Sequence, residues 1–450
     1  MQFQLTDDFI EQVEQLIATN DGDGLKVLLA EFHCADIAEL LEELHLDEAT
    51  YIVKLLDSEV TSEILIELDD DFRERILDQL SPSEIADELE EMDTDDAADI
   101  IAELDDDVQN EVIGHIEDQV HAADIVDLLR YDEDTAGGLM AKELVRVKET
   151  WTVAGCVREM RRQAENVTRV HSIYVTDKFG KLKGRLSLKD LLTAPGRAHI
   201  SEVYIPKVDY VNVHTEAEEV ARIMQKYDLE AIPVVDDNGI LVGRITIDDI
   251  VDFIKEEAEK DYQMAAGISQ DVEADDGIFK QTKARLPWLL IGMFGGLGAA
   301  SIITGFEDMM ATFPKIIIFV PLIQATAGNV GVQSSAIVVQ GLANDSLKGN
   351  LLARLLKEST LALVNGIAIA LVVLLISHFL FFTTYLESVS IGVAIISVIV
   401  LAALIGTFVP ILLDKRGIDP AVATGPFITT SNDIFGILTY FLIAKLILGF

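Results

Sequence analysis

The chain has 450 residues, half of them hydrophobic, and a formal net charge of −43, a combination that indicates several domains of different character. Residues 1–130 hold 40 acidic and 5 basic side chains, residues 131–285 hold 29 and 22, and residues 286–450 hold 8 and 7. This acidic charge argues against a nucleic-acid partner, because a nucleic-acid-binding surface would be basic. The two cysteines, Cys34 and Cys156, are too few for a disulfide scaffold.

Residues 1–130 place an apolar residue at every twelfth position. Acidic or Ser-Pro turns separate these positions, and the sequence around them repeats every 24 residues. One short helix and its turn per 12 residues predicts an all-α superhelical domain with acidic rims. The apolar positions are Leu44, Leu56, Leu68, Leu80, Met92 and Leu104.

Residues 131–255 contain a two-fold internal repeat. Residues 172–177 and 184–190 recur as residues 231–236 and 243–249. Each half combines an amphipathic helix, two β-rich runs around a Gly-containing turn, and a helix with a Ser or Thr cap. The pattern resembles a tandem pair of cystathionine-β-synthase (CBS) modules, which are α/β regulatory units.

An acidic segment joins the CBS pair to the last third of the chain. Asp249, Asp252, Glu256 and Glu259 share one face of the helix predicted there, and like charges on one face repel each other. Such a run is most often a solvated face, but divalent cations would relieve the repulsion. We expect the connecting helix over residues 256–283.

Residues 284–450 contain five apolar runs, each long enough to cross a hydrocarbon layer of ~30 Å. Eight Lys and Arg residues flank the runs on one side and two, Lys315 and Lys445, on the other, which assigns the first side to the cytoplasm. With five crossings, the amino-terminal region is cytoplasmic and the carboxyl terminus is outside. The runs cover residues 286–305, 316–341, 359–382, 389–413 and 422–448, and the eight basic residues are Lys280, Lys283, Arg285, Lys348, Arg354, Lys357, Lys415 and Arg416.

Asp433 is the one clear acid in the interior of these runs. A carboxylate there costs at least ~2.5–3.5 kcal/mol unless water or a cation compensates, so a functional role is favoured over a structural hydrogen bond between helices. Pro426 frees a backbone oxygen and Gly425 permits close approach, so carbonyl groups can join the carboxylate along a pore. Oxygen-only ligands suit a hard cation.

A stripe of small and polar residues follows one face of the second apolar run. Gln324, Gly328, Gly331 and Ser335 recur three or four positions apart. Asn329 beside this stripe either faces ion-bound water in a pore wall or supplies an amide to a packing seam between helices, and both interpretations stay open.

Motifs for other chemistry are missing from the sequence. Its eight histidines form no zinc-type pair with cysteine, and it contains no phosphate-binding GxxxxGK[ST] loop, no HExxH and no nucleophile elbow. These absences argue against a transition-metal site, ATP-driven pumping and enzymatic catalysis.

The whole chain resembles the MgtE family of bacterial magnesium channels. The resemblance rests on the order of the domains and on two membrane motifs, Pro-Leu…Gly-Asn-Val-Gly-x-Gln-Ser-Ser and Asp-Pro-Ala…Gly-Pro…Thr-Thr-x-x-Asp. It implies a multi-pass homodimer in the lipid bilayer of the bacterial inner (plasma) membrane, whose second and fifth membrane helices line a pore on the two-fold axis.

The resemblance also implies which residues bind Mg²⁺. In the pore they are Asp433, Asn329, Gly328, Thr429 and Asn432. Acidic residues of the cytosolic domains are implied to bind regulatory Mg²⁺, although Lys260 stands where a further acid is expected. These acids are Asp95, Asp99, Glu216, Glu218, Asp228, Asp249, Asp252, Glu257, Asp261 and Asp419.

The sequence therefore predicts a Mg²⁺-selective uptake channel that intracellular Mg²⁺ closes. A Mg²⁺/Na⁺ exchanger is the transport alternative, although the five runs lack an obvious inverted repeat. A membrane-anchored CBS sensor is the non-transport alternative, although an anchor needs no acid in mid-membrane. Thr246 and Asp249 match the CBS pattern for ATP or another adenine nucleotide, as any well-capped CBS helix would.

Overall fold

The computed structural model describes residues 5–163, 169–269, 272, 276–343, 347, 350–423 and 425–450. Lys348, counted above among the flanking basic residues, lies outside the described residues, as do residues 270–271 and 273–275 of the predicted connecting helix. The chain forms two compact units, Met1–Ile254 and Lys255–Phe450.

Ten short helices fill the described chain between residues 7 and 128, about one for every 12 residues. The apolar residue of the repeat lies at or just after a helix end and is alternately buried, as at Leu68, and half-buried, as at Leu80. Full burial of this position thus recurs every 24 residues, which is the length of one pair of helices. The prediction of an all-α superhelical domain is confirmed. The helices are α1 (Asp7–Ala18), α2 (Gly22–Leu29), α3 (Cys34–Glu42), α4 (Leu46–Leu55), α5 (Ser58–Glu67), α6 (Asp70–Leu77), α7 (Pro82–Leu89), α8 (Thr94–Glu103), α9 (Asp106–His115) and α10 (Gln119–Leu128).

The two halves of the internal repeat fold into matching three-stranded sheets, formed by the two predicted β-rich runs and one further strand before the amphipathic helix. In each sheet the first strand is parallel to the second, and the second is antiparallel to the third. The turns of the two hairpins pair with each other, because Leu182 N–H donates to the Gly239 carbonyl and Leu241 N–H donates to the Gly180 carbonyl, both at 3.1 Å. The elements are β1 (Val145–Lys148), α11 (Val153–Gln163), β2 (Ile173–Thr176), β3 (Leu182–Leu186), α12 (Leu188–Thr193), β4 (Val211–Asn212), α13 (Ala217–Tyr227), β5 (Ala231–Val235) and β6 (Leu241–Thr246).

The amino-terminal helices and the second CBS repeat share one apolar core. It extends from Leu25 and Ile64 in the helices through Met140 to Ile232 and Ile245 in the sheet, all of them buried. The first CBS repeat encloses a separate core around Val147, Cys156 and Val175. The shared core holds the acidic helices against the second repeat rather than the first.

The connecting segment differs from the single helix predicted over 256–283. α14 (Ile247–Ala266) continues directly from β6 and ends before Gly267, whose φ of +84° suits glycine and not a helix. The next helix begins at Ile278. The acidic face predicted for this segment therefore belongs to a helix that starts in the second CBS repeat.

Within the described residues of the second unit, five helices are long and apolar enough to span a membrane, as predicted. Helices α17 and α19 approach closely through glycines, since a Cβ at Gly406 would lie 2.4 Å from the Gly331 carbonyl oxygen. Three helices begin earlier than the apolar runs. The first turns of α15 and α18, which contain Lys280 and Arg354, are helical, and α19 begins four residues before its run. The spans are α15 (Ile278–Thr304), α17 (Val320–Ala343, preceded by a 3₁₀ turn), α18 (Leu351–Phe379), α19 (Tyr385–Asp414) and α20 (Pro426–Leu448), and α16 (Glu307–Thr312) is a short helix between the first two.

Candidate functional site

A cavity of about 540 Å³ lies between α17 and α20. Carboxylate, amide and hydroxyl groups line it, which are the oxygen donors that a hard cation prefers. Six waters occupy about 180 Å³ at ~30 Å³ each, so the cavity has room for a hydrated ion. Its lining consists of Gln324, Ala325, Gly328, Asn329, Val332, Gln333, Thr429 and Asp433.

Four of the five predicted pore residues meet at this cavity. Gly328 lies where α17 approaches α20, and a Cβ there would be in tight contact with the Thr429 methyl group, at 3.3 Å. Asn329 faces the cavity beside Asp433, which supports the pore-wall interpretation over the packing seam. Thr429 Oγ1 donates to the Gly425 carbonyl at 3.0 Å, so this backbone oxygen already has a partner.

Asn432, the fifth predicted pore residue, does not line this cavity. Only 1% of the residue is exposed, and its Nδ2 lies 3.4 Å from the Ala327 carbonyl oxygen. It packs against Gly331, where a Cβ would lie 1.8 Å from the amide nitrogen. One helical position separates Asn432 from Asp433 and turns its side chain into the helix contact.

The end of α14 abuts the start of α20. A Cβ at Gly425 would lie 2.1 Å from the Ala265 carbonyl oxygen, and one at Gly267 would lie 2.4 Å from Pro426 Cγ. Gly425 also has a φ of +55°. The acidic helix therefore rests on the first turn of the helix that carries Asp433.

Three predicted regulatory acids, Glu257, Asp261 and Asp419, form what we call the linker cluster. Burial raises the pKa of Asp261, and the neighbouring Asp419 and Glu257 carboxylates raise it further. Asp419 accepts the Ala421 N–H at 2.8 Å. Lys260, the departure noted in the sequence, pairs with Glu257 at 3.1 Å and offsets part of this charge.

A second group of acids, here the interface cluster, lies between the amino-terminal helices and the CBS pair. It comprises Asp93, Asp95, Asp96, Glu143 and Asp249. One carboxylate oxygen each from Asp93, Asp95 and Glu143 lies within 4.8 Å of the other two. This spacing permits one cation to contact all three.

Burial dominates the electrostatics of the interface cluster. Asp95 is 8% exposed, and its pKa is raised well above the usual value by loss of water and then by Asp96 and Asp249. Burial, followed by the neighbouring Asp249, Asp93 and Asp99, raises the pKa of Asp96 to about 7. Burial also raises the pKa of Asp249, although its carboxylate accepts both the N–H and the hydroxyl of Thr246, at 2.8 and 2.7 Å. The cluster is an unfavourable place for negative charge without a cation.

The remaining predicted regulatory acids lie apart on three helices, with Asp99 exposed on α8 and the others on α13 and α14. Glu216 and Glu218 lie at the start of α13, and Asp228 ends it with φ of 49°. The 11-residue helix separates them by about 16 Å, so one ion in one protomer does not contact all three. Asp252 is exposed on α14, one turn after Asp249.

The sequence interpretation missed Asp93, Asp96 and Glu143. The run of acids from Asp93 to Asp99 was a signal for the first two. Glu143 carries no comparable signal, because it lies in the connection before β1 and reaches the cluster only through the fold.

Family models match three parts of the chain. The MgtE intracellular N domain matches residues 32–134, CBS domains match 136–197 and 200–256, and the divalent cation transporter domain of MgtE matches 320–443. The magnesium transporter MgtE of Thermus thermophilus is 37% identical over 329 residues, which cover 72% of this chain and 73% of the relative. The chain belongs to the MgtE family of magnesium transporters. It is therefore a multi-pass membrane protein of a transport family rather than of an enzyme family.

Further similarities agree with this assignment. The magnesium transporter MgtE of Enterococcus faecalis is 36% identical over 73% of this chain and 72% of its own. A crystal structure of the cytosolic domain of the Mg²⁺ channel MgtE in complex with ATP aligns with a TM-score of 0.52 at 36% identity, covering 54% of this chain and 99% of that one. The soluble part of a magnesium transporter aligns with a TM-score of 0.51 at 26% identity, covering 56% and 99%.

Proposed function

We propose that this MgtE-family protein is a Mg²⁺-selective channel that mediates uptake across the bacterial plasma membrane. The observation that carries the proposal is the cavity around Asp433, which gathers one carboxylate with amide and hydroxyl groups in a space large enough for a hydrated ion. Mg²⁺ loses water reluctantly, so a roomy site with a single charge attracts the ion without holding it. The Mg²⁺ transport of relatives supports the same cargo here.

We further propose that the channel is a homodimer with its amino terminus in the cytoplasm and its carboxyl terminus outside. Among the described residues, seven basic side chains flank the cytoplasmic ends of the spans and two flank the other ends. A pore on a two-fold axis would receive α17 and α20, and one cavity, from each protomer.

Intracellular Mg²⁺ would close this channel by binding to the linker and interface clusters. Both clusters bury like charges, which a divalent ion would offset. The contact between the end of α14 and the first turn of α20 provides a route from the linker cluster to the cavity. Glu216, Glu218, Asp228 and Asp252 belong to this proposal as ligands shared with other elements or with the second protomer.

An adenine nucleotide is the second ligand we propose, since a similar cytosolic domain was crystallised with ATP. The Thr246–Asp249 pair is disfavoured, because the carboxylates of the interface cluster would repel phosphate. Ser187 and Asp190 have the same spacing in the first repeat, bond to each other at 3.0 Å, and adjoin Lys189. Asp190→Ala should weaken ATP binding in a calorimetric titration, and Asp249→Ala should leave it unchanged; the reverse result would return the site to the second repeat.

Magnesium flux through variants of Asp433 tests the pore. Asp433→Asn keeps the shape of the side chain and removes its charge, so uptake into proteoliposomes should fall at least tenfold while the protein still folds and inserts. Asp308→Asn, which removes an exposed acid outside the cavity, is the matched control and should conduct normally. Undiminished Mg²⁺ uptake by Asp433→Asn would contradict the assignment.

A further inference from the structure

Arg244 connects three segments of the amino-terminal unit. It lies on β6, is 5% exposed, and its Nη2 donates to the Asp93 carboxylate at 3.1 Å. Its Nε donates to the Glu143 carbonyl, and its backbone pairs in both directions with Ala141. One side chain thus joins the turn before α8, the connection before β1 and the second CBS repeat, at the edge of the interface cluster.

Lys142 makes a second contact of this kind. Its Nζ lies 2.7 Å from the Asp127 carboxylate on α10, and its side chain is 11% exposed. Its backbone N–H donates to Thr94 Oγ1 at 2.9 Å, at the start of α8. Together, Arg244 and Lys142 place two poorly hydrated cations against helices of a region that holds 40 acidic and 5 basic residues.

We propose that Arg244 and Lys142 are resident cations that stabilise the docked position of α8 and α10 on the CBS pair, and so set the Mg²⁺ concentration at which metal binding to the interface cluster completes docking. The proposal rests on the regulation by Mg²⁺ proposed above. Each resident cation offsets one carboxylate permanently, so fewer metal ions are needed to complete docking. Both are positioning residues, since neither touches the ion.

Burial of the Arg244–Asp93 pair determines how strongly docking depends on the arginine. A buried ion pair contributes little over a well-packed apolar pair, but removing one partner leaves an uncompensated charge and is strongly unfavourable. Undocking of the amino-terminal helices separates Arg244 from Asp93, whereas docking without Arg244 leaves Asp93 facing the other acids of the cluster. The metal-free docked state therefore depends on the arginine more than the undocked state does.

Hydrogen exchange of the full-length protein in nanodiscs, titrated with free Mg²⁺, tests the proposal at peptides covering residues 140–144. Arg244→Gln should lower metal-free protection there about tenfold, the scale of coupling between close charge pairs. If two ions complete docking, the Mg²⁺ midpoint should then rise about threefold, the square root of that factor. Lys142→Gln should act in the same direction, and Arg244→Lys should restore part of the loss.

Arg73→Gln is the matched control. Arg73 is also a buried arginine, 8% exposed, but it pairs with Asp70 and Glu103 within the amino-terminal helices. Arg73→Gln should lower thermal stability without changing the Mg²⁺ concentration at the midpoint of protection of residues 140–144. If Arg244→Gln and Lys142→Gln likewise lose stability while their Mg²⁺ curves superimpose on that of the parent, the resident cations are only structural and the inference is wrong. If the parent itself shows no response to Mg²⁺, the proposed regulation fails instead.

Discussion

At the scale of single residues, the interface cluster behaves as a site where protons and metal ions compete. Its carboxylates hold protons more tightly when the amino-terminal helices are docked, because burial raises the pKa of Asp95, Asp96 and Asp249. Between the ordinary aspartate pKa and a pKa of about 7, the docked form keeps a proton on Asp96 that the undocked form has lost. Lowering the pH through this window therefore favours docking when no metal is present.

The ratio of docked to undocked protein should therefore depend on pH when no metal is present. In EDTA, lowering the pH from 8 to 6 should raise the docked-to-undocked ratio about tenfold, the factor expected for one group with a pKa near 7. At saturating Mg²⁺ the dependence should vanish, because the ion keeps the carboxylates ionised. Hydrogen exchange of α8 at the two pH values measures the ratio once intrinsic rates are corrected. Weaker metal-free protection at pH 6 than at pH 8 would contradict it.

At the scale of helices and strands, patterns that depend on local sequence were predictable. The alternation of buried and half-buried residues such as Leu68 and Leu80 appears as a 12-residue period, and the five spans appear as apolar runs. The break after α14 was not predictable, because Gly267 ends the helix where the backbone packs on Pro426, a contact distant in sequence.

The residues of the candidate sites were also predictable only where the local sequence marks them. Asp433 stands out in the sequence because a carboxylate is costly in an apolar helix. Asn432 next to it has equally polar neighbours, and only the rotation of α20 against α17 decides that it packs on Gly331. Glu143 joins the interface cluster through tertiary structure alone, so no local pattern of the sequence could have indicated it.

The contact between α14 and α20 yields a prediction at this scale. Gly425→Ala should push Ala265 away from the start of α20 and weaken closure by Mg²⁺, because the substituted Cβ has no space. Gly417→Ala is the matched control: its φ is +68°, so it carries similar backbone strain, but nothing lies within 4 Å of its Cβ. Flux assays at graded internal Mg²⁺ compare the two, and equal closure in both variants would mean that the contact transmits nothing.

At the scale of the whole molecule, several weak ion sites are sufficient for regulation. Moving a closed-to-open ratio from 1:99 to 99:1 requires about 5.5 kcal/mol of differential binding. An ion present at about ten times its dissociation constant for the closed state contributes RT ln 11, about 1.4 kcal/mol. Roughly four ions per dimer would therefore close the channel, and the linker and interface clusters of two protomers provide four places for them.

Neutralising acids of both clusters, together with Asp252 between them on α14, should reduce this response. A variant that combines Asp249→Asn, Asp252→Asn, Glu257→Gln and Asp261→Asn should conduct Mg²⁺ but depend on internal Mg²⁺ with a shallower slope, because fewer ions bind as it closes. Limited proteolysis of the segment around α14 reports the same change. Protection by Mg²⁺ as strong as in the parent would mean that these acids are not the sensor.

Conduction of Mg²⁺ under the control of internal Mg²⁺ can be measured by single-channel recording of the full-length protein in a planar bilayer, with Mg²⁺ as the only permeant cation. The measured quantity is the open probability as Mg²⁺ on the cytosolic face is raised from nominally zero to several millimolar. We expect Mg²⁺ currents at low internal Mg²⁺ and a steep fall in open probability as Mg²⁺ fills the acidic clusters. Mg²⁺ currents whose open probability ignores internal Mg²⁺, or transport without any channel current, would contradict this expectation.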